Sequence, residues 1–269
     1  MKMKSFVIGF SAALVLLAGC RSSAEDNGER IQSLRVMSYN IHHGGGMDGV
    51  VDHQRIADVI AQADPDVVCM QEVDLNLSRS HNVDMTKVIG KAAGMPTALF
   101  APALQYDNGG KYGIAMLSKE SAELVKVFTL SVPEGQEPRI AALYKIDAET
   151  PYYFIATHFP WEEELEDVRL AAVKTITDYI REHHLVPVIL AGDLNSLPDS
   201  KTMNAFREQK WTVANDVKIE NTYPADKPDR AIDFILFYPQ EAFTVIDCSV
   251  MNEPLASDHR PVVTNLAHN

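Results

Sequence analysis

Short apolar or β-branched stretches outnumber segments of helical spacing along this chain, and neighbouring stretches often follow one another with no room for a helical crossover. The stretches occupy residues 34–39, 67–71, 98–101, 113–117, 122–128, 140–146, 152–157, 186–191, 232–237, 244–250 and 262–265. Each reads as a strand, because branched and aromatic side chains suit a pleated, half-buried surface. Apolar residues at helical period occupy 53–63, 84–93, 161–183 and 200–210, with Gly and Pro between the elements. Parallel strands need a crossover of a dozen or more residues, whereas antiparallel strands need only a turn. A mixed, largely antiparallel α+β arrangement follows, rather than a doubly wound parallel sheet.

A weak duplication sharpens that expectation. A strand–helix–strand unit ending in VVCMQEVD (67–74) has a counterpart in the helix 161–183 followed by VPVILAGDLN (186–195). Two similar halves, each a sheet covered on one side by helices, bury most apolar surface by packing their sheets face to face. The expected fold is a four-layer α/β/β/α sandwich of two mixed sheets flanked by helices. With 46% hydrophobic and 23% charged residues the chain can build such a core, which excludes disordered, collagen-like and coiled-coil readings. A formal charge of −13 leaves no diffuse positive field for gripping a polyanion, so nucleic acid is a disfavoured though open partner.

The chain begins with Lys2 and Lys4, an apolar run over 6–17, and Leu17-Ala18-Gly19-Cys20. The run is short for a membrane span and lacks an amphipathic period, so it reads as the apolar part of a signal peptide. Small residues directly before a cysteine resemble the bacterial lipobox, which implies lipidation of Cys20 as the mature first residue. Two acyl chains anchor stably where one is marginal. Arg21 stands where an aspartate would resemble an inner-membrane retention signal. The expected location is therefore extracytoplasmic and lipid-anchored, at the outer membrane in preference to the inner or cell membrane. Residues 1–19 form the expected signal peptide, 20–32 the lipidated cysteine and a polar tether, and 33–269 a single, monomeric domain. Cys69 and Cys248 fall in expected core strands and read as unpaired buried thiols.

Polar residues sit where the apolar stretches end. Asn40 closes RVMSYN, Glu72 follows CMQ, His158 follows IAT, Asp193 and Asn195 end VILAGDLN, Asp233 interrupts AIDFIL, and Asp258 and His259 precede RPVV. A carboxylate or amide at the end of a buried strand is costly unless a hydrogen bond, metal or ligand satisfies it. Taken singly, Asp193, Asp258 and Asn40 also suit turns and strand ends. Turns explain neither Glu72 nor Asp233, and the set together suggests one shared site.

The order YNIH (39–42), QEVD (71–74), THF (157–159), GDLN (192–195), IDFIL (232–236) and SDHRPVV (257–263) resembles the endonuclease/exonuclease/phosphatase superfamily. That group includes pancreatic-type deoxyribonucleases, abasic-site endonucleases, inositol polyphosphate 5-phosphatases and neutral sphingomyelinases. The resemblance runs from about residue 35 to 263 and implies the same four-layer sandwich. It also implies a phosphoester substrate attacked by water beside a hard cation. Glu72, Asn40 and Asp258 match the metal positions. Oxygen donors without a cysteine or multi-histidine cluster suggest Mg2+, with Mn2+ the alternative. Asp193 matches the residue that orients and deprotonates water, and Asn195 one that holds a phosphoryl oxygen. His259 matches a phosphoryl donor or alternative base, its tautomer fixed by Asp233. His158 matches a second phosphate contact or general acid.

Arg79, Lys111 and Arg139 are the expected cations for substrate phosphate. Ile114 departs from the family, standing where many relatives carry asparagine. The segment His42-His43-Gly44-Gly45-Gly46 lacks the lysine and spacing of a Walker motif and reads as an active-site loop. Acidity and an anchor favour a phosphodiesterase or phosphatase acting on a small or lipid-linked phosphoester over an extracytoplasmic nuclease on DNA or RNA. A non-catalytic lipoprotein that binds a phosphorylated ligand is the alternative of another class. A paired-carboxylate glycosidase would leave Asn40, Asn195 and the Asp233–His259 pair without roles.

Overall fold

The computed structural model describes residues 33–269. The expected signal peptide, Cys20 and the tether lie outside them. One sheet contains β1 (Ser33–Asn40), β2 (Val67–Leu75), β3 (Thr97–Gln105), β4 (Lys111–Ser118), β11 (Phe243–Val250) and β12 (Val262–His268). The other contains β5 (Ala122–Leu130), β6 (Arg139–Ile146), β7 (Tyr152–His158), β8 (Val188–Asp193), β9 (Thr212–Val213) and β10 (Asp233–Tyr238). Their orders are β11-β12-β1-β2-β4-β3 and β5-β6-β7-β8-β10-β9, so the second repeats the first. In each sheet the central pair, β1/β2 or β7/β8, is parallel and the other pairs are antiparallel. The parallel pairs are those joined through α1 (His53–Ala63) and α3 (Glu166–Glu182), which leave room for a crossover.

Apolar periodicity then fixes the layers. Val36, Cys69, Met116, Tyr144, Phe154 and Ile235 meet between the sheets. Ile56, Ile60 and Ile89, from α1 and α2 (Met85–Ala92), cover the outer face of the first sheet. Ile176 and Phe206, from α3 and α4 (Lys201–Glu208), cover that of the second. The result is the expected four-layer sandwich. Asp52, Asp84 and Ser200 cap α1, α2 and α4 by accepting from backbone N–H groups of the first turn. Cys69 and Cys248 are buried and free, and burial pushes their thiols up to about 12 and about 11.

Several boundaries differ from expectation, two of them for identifiable physical reasons. The expected helix 161–183 begins only at Glu166, after a 3-10 turn at Glu163–Leu165. Arg169 donates to the carbonyls of Pro160 and Glu162 at 2.8 Å and pins that entry segment in place. Strand β8 starts at Val188 because Pro187 has no N–H to give a ladder. Among the described residues no helix is long and apolar enough to cross a membrane.

Candidate active site

Strand register gathers the polar strand ends at one edge of both sheets. Asn40 ends β1, and Glu72 lies near the end of its parallel neighbour β2. His158 ends β7 directly opposite Asp193, the last residue of β8. Asp233 begins β10 and also registers against Asp193. The β7/β8 approach is close because residue 192 is glycine, where a Cβ would stand 2.4 Å from the Thr157 carbonyl oxygen. Ser33, where the described chain begins, lies at the opposite end of β1.

The inner part of the site is a buried cluster of charge. His259 Nδ1 donates to Asp233 Oδ2 at 2.9 Å, and its Nε2 stands 3.7 Å from Asp193 Oδ2. Burial alone would lower the His259 imidazole, but Asp233 first and Asp193 next push it up to about 10. The ring therefore carries a proton at neutral pH, with an N–H toward each carboxylate. Burial tends to raise the Asp193 carboxyl as well; His259 and then His158 outweigh it and hold Asp193 well below the usual carboxylate range. Asp233, fully buried, is held above that range by burial and by Asp193, against the pull of His259. Asp193 Oδ1 accepts the Asn195 N–H at 3.0 Å, while Asn195 Nδ2 donates to the Phe159 carbonyl.

His158 has a fixed tautomer. Arg139 Nη1 lies 2.6 Å from His158 Nδ1, and a guanidinium can only donate, so Nδ1 accepts and the proton sits on Nε2. That Nε2 faces Asp193 Oδ2 at 3.4 Å.

The outer part is half-exposed. Asn40 Nδ2 links the two parts, donating to Glu72 Oε1 and to Asp193 Oδ2 at 3.2 Å each. Glu72 sits where the β2/β4 register slips, with φ +58°. Such a bulge re-aims a side chain, and a left-handed backbone at a non-glycine residue costs about 1–3 kcal/mol. Burial would raise the Glu72 carboxyl; the His158 ring first, and the Asn40 amide after it, keep it below its ordinary value. Asp258 Oδ1 lies 3.9 Å from His42 Nδ1. Ser257 Oγ contacts Asp258 Oδ1 at 3.4 Å and donates to the Asn40 carbonyl.

His42 and His43 fill the space that the sequence left to a loop. Donor atoms of His42, His43 and Glu72 lie within 4.8 Å of one another, so a histidine pair does adjoin the carboxylate, contrary to the expected all-oxygen set. Both histidines have left-handed backbones, at φ 44° and 45°. The YNIH motif carried this signal only in part, since the bend at His43 is not visible in residue types. A cation fits here. Glu72 Oε2 and His43 Nδ1 face each other at 4.0 Å, beyond hydrogen-bond reach, and His43 Nδ1 is buried without a partner. Burial and the charges of His42 and Arg79 lower the His43 imidazole.

Two of the three expected phosphate cations are engaged elsewhere. Arg79 places Nε and Nη2 on the buried Asp74 carboxylate at 2.7 and 2.8 Å and lies 5.3 Å over the Tyr112 ring. Arg139 is buried and bonds His158 and Glu137, so it positions an imidazole rather than facing open substrate space. Lys111 opens β4 at the site edge, half-exposed, with no ion pair among the described residues. Ile114 is buried in the core between the sheets.

Comparison with known proteins identifies the fold. The structure is similar to an endonuclease/exonuclease/phosphatase from Beutenbergia cavernae, with TM-score 0.71 and 25% identity over 88% of this chain and 72% of that one. It is also similar to a mannosyl-6-phosphatase from Bacteroides thetaiotaomicron, with TM-score 0.67 and 20% identity over 87% and 99%. The human nocturnin catalytic domain, with a bound sulfate anion, shares the fold at TM-score 0.63 and 17% identity over 88% and 95%. No curated protein matches the sequence. Residues 37–259 match the model of the Endonuclease/Exonuclease/phosphatase family. The chain belongs to that family, whose members hydrolyse phosphoester bonds and generally use divalent metal ions.

Proposed function

We propose that this protein is a divalent-cation-dependent hydrolase of small phosphoesters that acts by direct attack of water. The observation that carries the reading is the Asn40 amide, which bridges Glu72 and Asp193 at 3.2 Å each and so ties a cation-binding carboxylate to a proton-accepting one. Asn40, Glu72 and Asp258 would hold the cation, Mg2+ or Mn2+, and its positive charge would offset the charge on the phosphoryl oxygens. Asp193, ionised, orients the water and accepts its proton. His259, protonated between two carboxylates, donates to the phosphoryl oxygens. His158 Nε2–H is a second donor, and Asn195 holds the phosphoryl group from the other side.

A small substrate is favoured by the groove beside Asn195. It encloses about 420 Å³ and is lined by Trp161, Glu163, Glu166, Asp199 and Arg230 among others. Its carboxylates oppose a polyanion passing the site, whereas a short leaving group fits. The fold likeness to a mannosyl-6-phosphatase points in the same direction. We place the protein outside the cytoplasm, anchored through Cys20.

The test is a phosphoester panel with the cation varied: hexose phosphates, aryl phosphodiesters, sphingomyelin vesicles and supercoiled plasmid. Cation-dependent release of phosphate from small esters is expected. Plasmid nicking as the dominant activity would replace this reading with a nuclease. Cation binding with no turnover across the panel would leave a phosphate-binding lipoprotein.

A further inference from the structure

We propose that His42 and His43 join Glu72 as ligands of the cation, and that the site therefore selects a first-row transition ion such as Mn2+ or Zn2+ over Mg2+. The inference rests on the cation-binding reading of Glu72 given above and adds nitrogen to the donor set.

The first argument is the tautomer of His42. Its Nδ1 lies 3.1 Å from the Gly45 carbonyl oxygen, which can only accept, so Nδ1 carries the proton and the Nε2 lone pair is left free. A ring that donates one N–H to a backbone carbonyl and offers the other nitrogen is the usual arrangement of a metal-bound histidine, because the carbonyl fixes both tautomer and ring orientation.

The second argument is the isolation of His43. Its Nδ1 is buried without a partner and faces Glu72 Oε2 at 4.0 Å. A buried ring nitrogen left unpaired opposite an ionised carboxylate is costly to both groups, and a shared cation removes both costs.

Backbone conformation provides the third argument. His42, His43 and Glu72 all have positive φ, at 44°, 45° and 58°. Strain of this kind persists only where surrounding structure enforces it, and here it brings three donor atoms within 4.8 Å of one another. The loop is also held by backbone bonds, from Gly44 N to the Ile41 carbonyl and from Gly45 N to the His42 carbonyl, both at 2.7 Å.

Ligand chemistry then sets selectivity. Mg2+ prefers oxygen and sheds water reluctantly, whereas imidazole nitrogen suits first-row transition ions. Two imidazoles beside one carboxylate therefore raise affinity for Zn2+ strongly, and for the harder Mn2+ to a smaller extent, relative to Mg2+.

The experiment uses the full chain loaded with Mn2+. Pulsed electron paramagnetic resonance should show nitrogen coupling to the bound ion, reduced in His43→Ala and in His42→Gln. Calorimetry should show Mn2+ affinity falling about tenfold or more in either variant, since even the groups that hold a metal ligand from behind typically contribute that much, with Mg2+ affinity nearly unchanged. Because both histidines lie on a half-exposed loop, thermal midpoints close to wild type are expected to confirm folding. Absence of nitrogen coupling on an ion whose binding Glu72→Gln still weakens would overturn the histidine ligation and leave the cation site standing. Unchanged affinity for both ions in Glu72→Gln would overturn the cation reading itself, and the histidine ligation with it.

Discussion

The inner and outer parts of the site lie side by side but balance their charges in opposite ways. Inside, Asp193, Asp233 and His259 are buried and compensate one another, with a proton held between two carboxylates. Outside, His42, His43, Glu72 and Asp258 are half-exposed, and His43 Nδ1 faces Glu72 Oε2 at 4.0 Å, too long for a hydrogen bond. One part carries its own counter-charge; in the proposed reading the other takes it from a bound cation. In that reading the contrast separates proton handling from cation binding, and both Asn40 and Ser257 bond across it.

Variants of the inner part should have the largest effect. His259→Ala removes the buried donor and leaves two carboxylates unbalanced, so turnover should fall by roughly two or more orders of magnitude while cation affinity stays near wild type. Steady-state kinetics beside calorimetry would separate the two quantities. Equal loss of both would erase the distinction between the parts.

Glu72→Gln tests the outer part. Turnover at limiting cation should fall by about a hundredfold and recover in part as cation is raised, because one donor of several is lost. Failure to recover at any concentration would assign Glu72 to the chemistry itself.

Linkage gives the third prediction, for metal-free protein. His259 is raised from an ordinary 6.5 to about 10, so the stability it contributes is complete below its ordinary value and is lost as pH rises through about 10. Asp193 is shifted the other way, so its contribution is present above the usual carboxylate range and is lost as pH falls through its depressed value. Thermal midpoints scanned against pH should decline at both ends, and Asp233→Asn should move the alkaline decline to lower pH.

The smallest effect on turnover is expected at Arg79, whose fork is committed to Asp74. Arg79→Ala should leave kcat within about threefold yet destabilise the fold by about 1–3 kcal/mol, because it removes the hydrogen-bond partners of a buried carboxylate. A large loss of kcat at unchanged stability would return Arg79 to the substrate.

Most of the fold was legible in the sequence, because strand length, branching and the absence of crossovers are local properties. Helix α1 matches its expected span, and the two parallel pairs follow from the duplicated strand–helix–strand unit. The site residues at strand ends were legible for a related reason: a polar group closing an apolar run is conspicuous in one dimension. Pairing was not. Nothing local shows that Arg79 bonds Asp74, or that Arg139 lies behind His158 rather than in front of it, since each depends on which face of a strand is buried. The left-handed bends at His43 and Glu72, which turn a loop histidine and a bulged carboxylate toward each other, are set by tertiary contacts.

The most direct test titrates a divalent cation into wild type and Asp193→Asn while following both ion binding and phosphate release. Overlapping binding curves with turnover reduced by about a hundredfold or more in the variant are the expected result, since one part keeps its ion while the other loses its proton acceptor. Undiminished phosphate release in Asp193→Asn, or release that persists in wild type after chelation, would contradict the account.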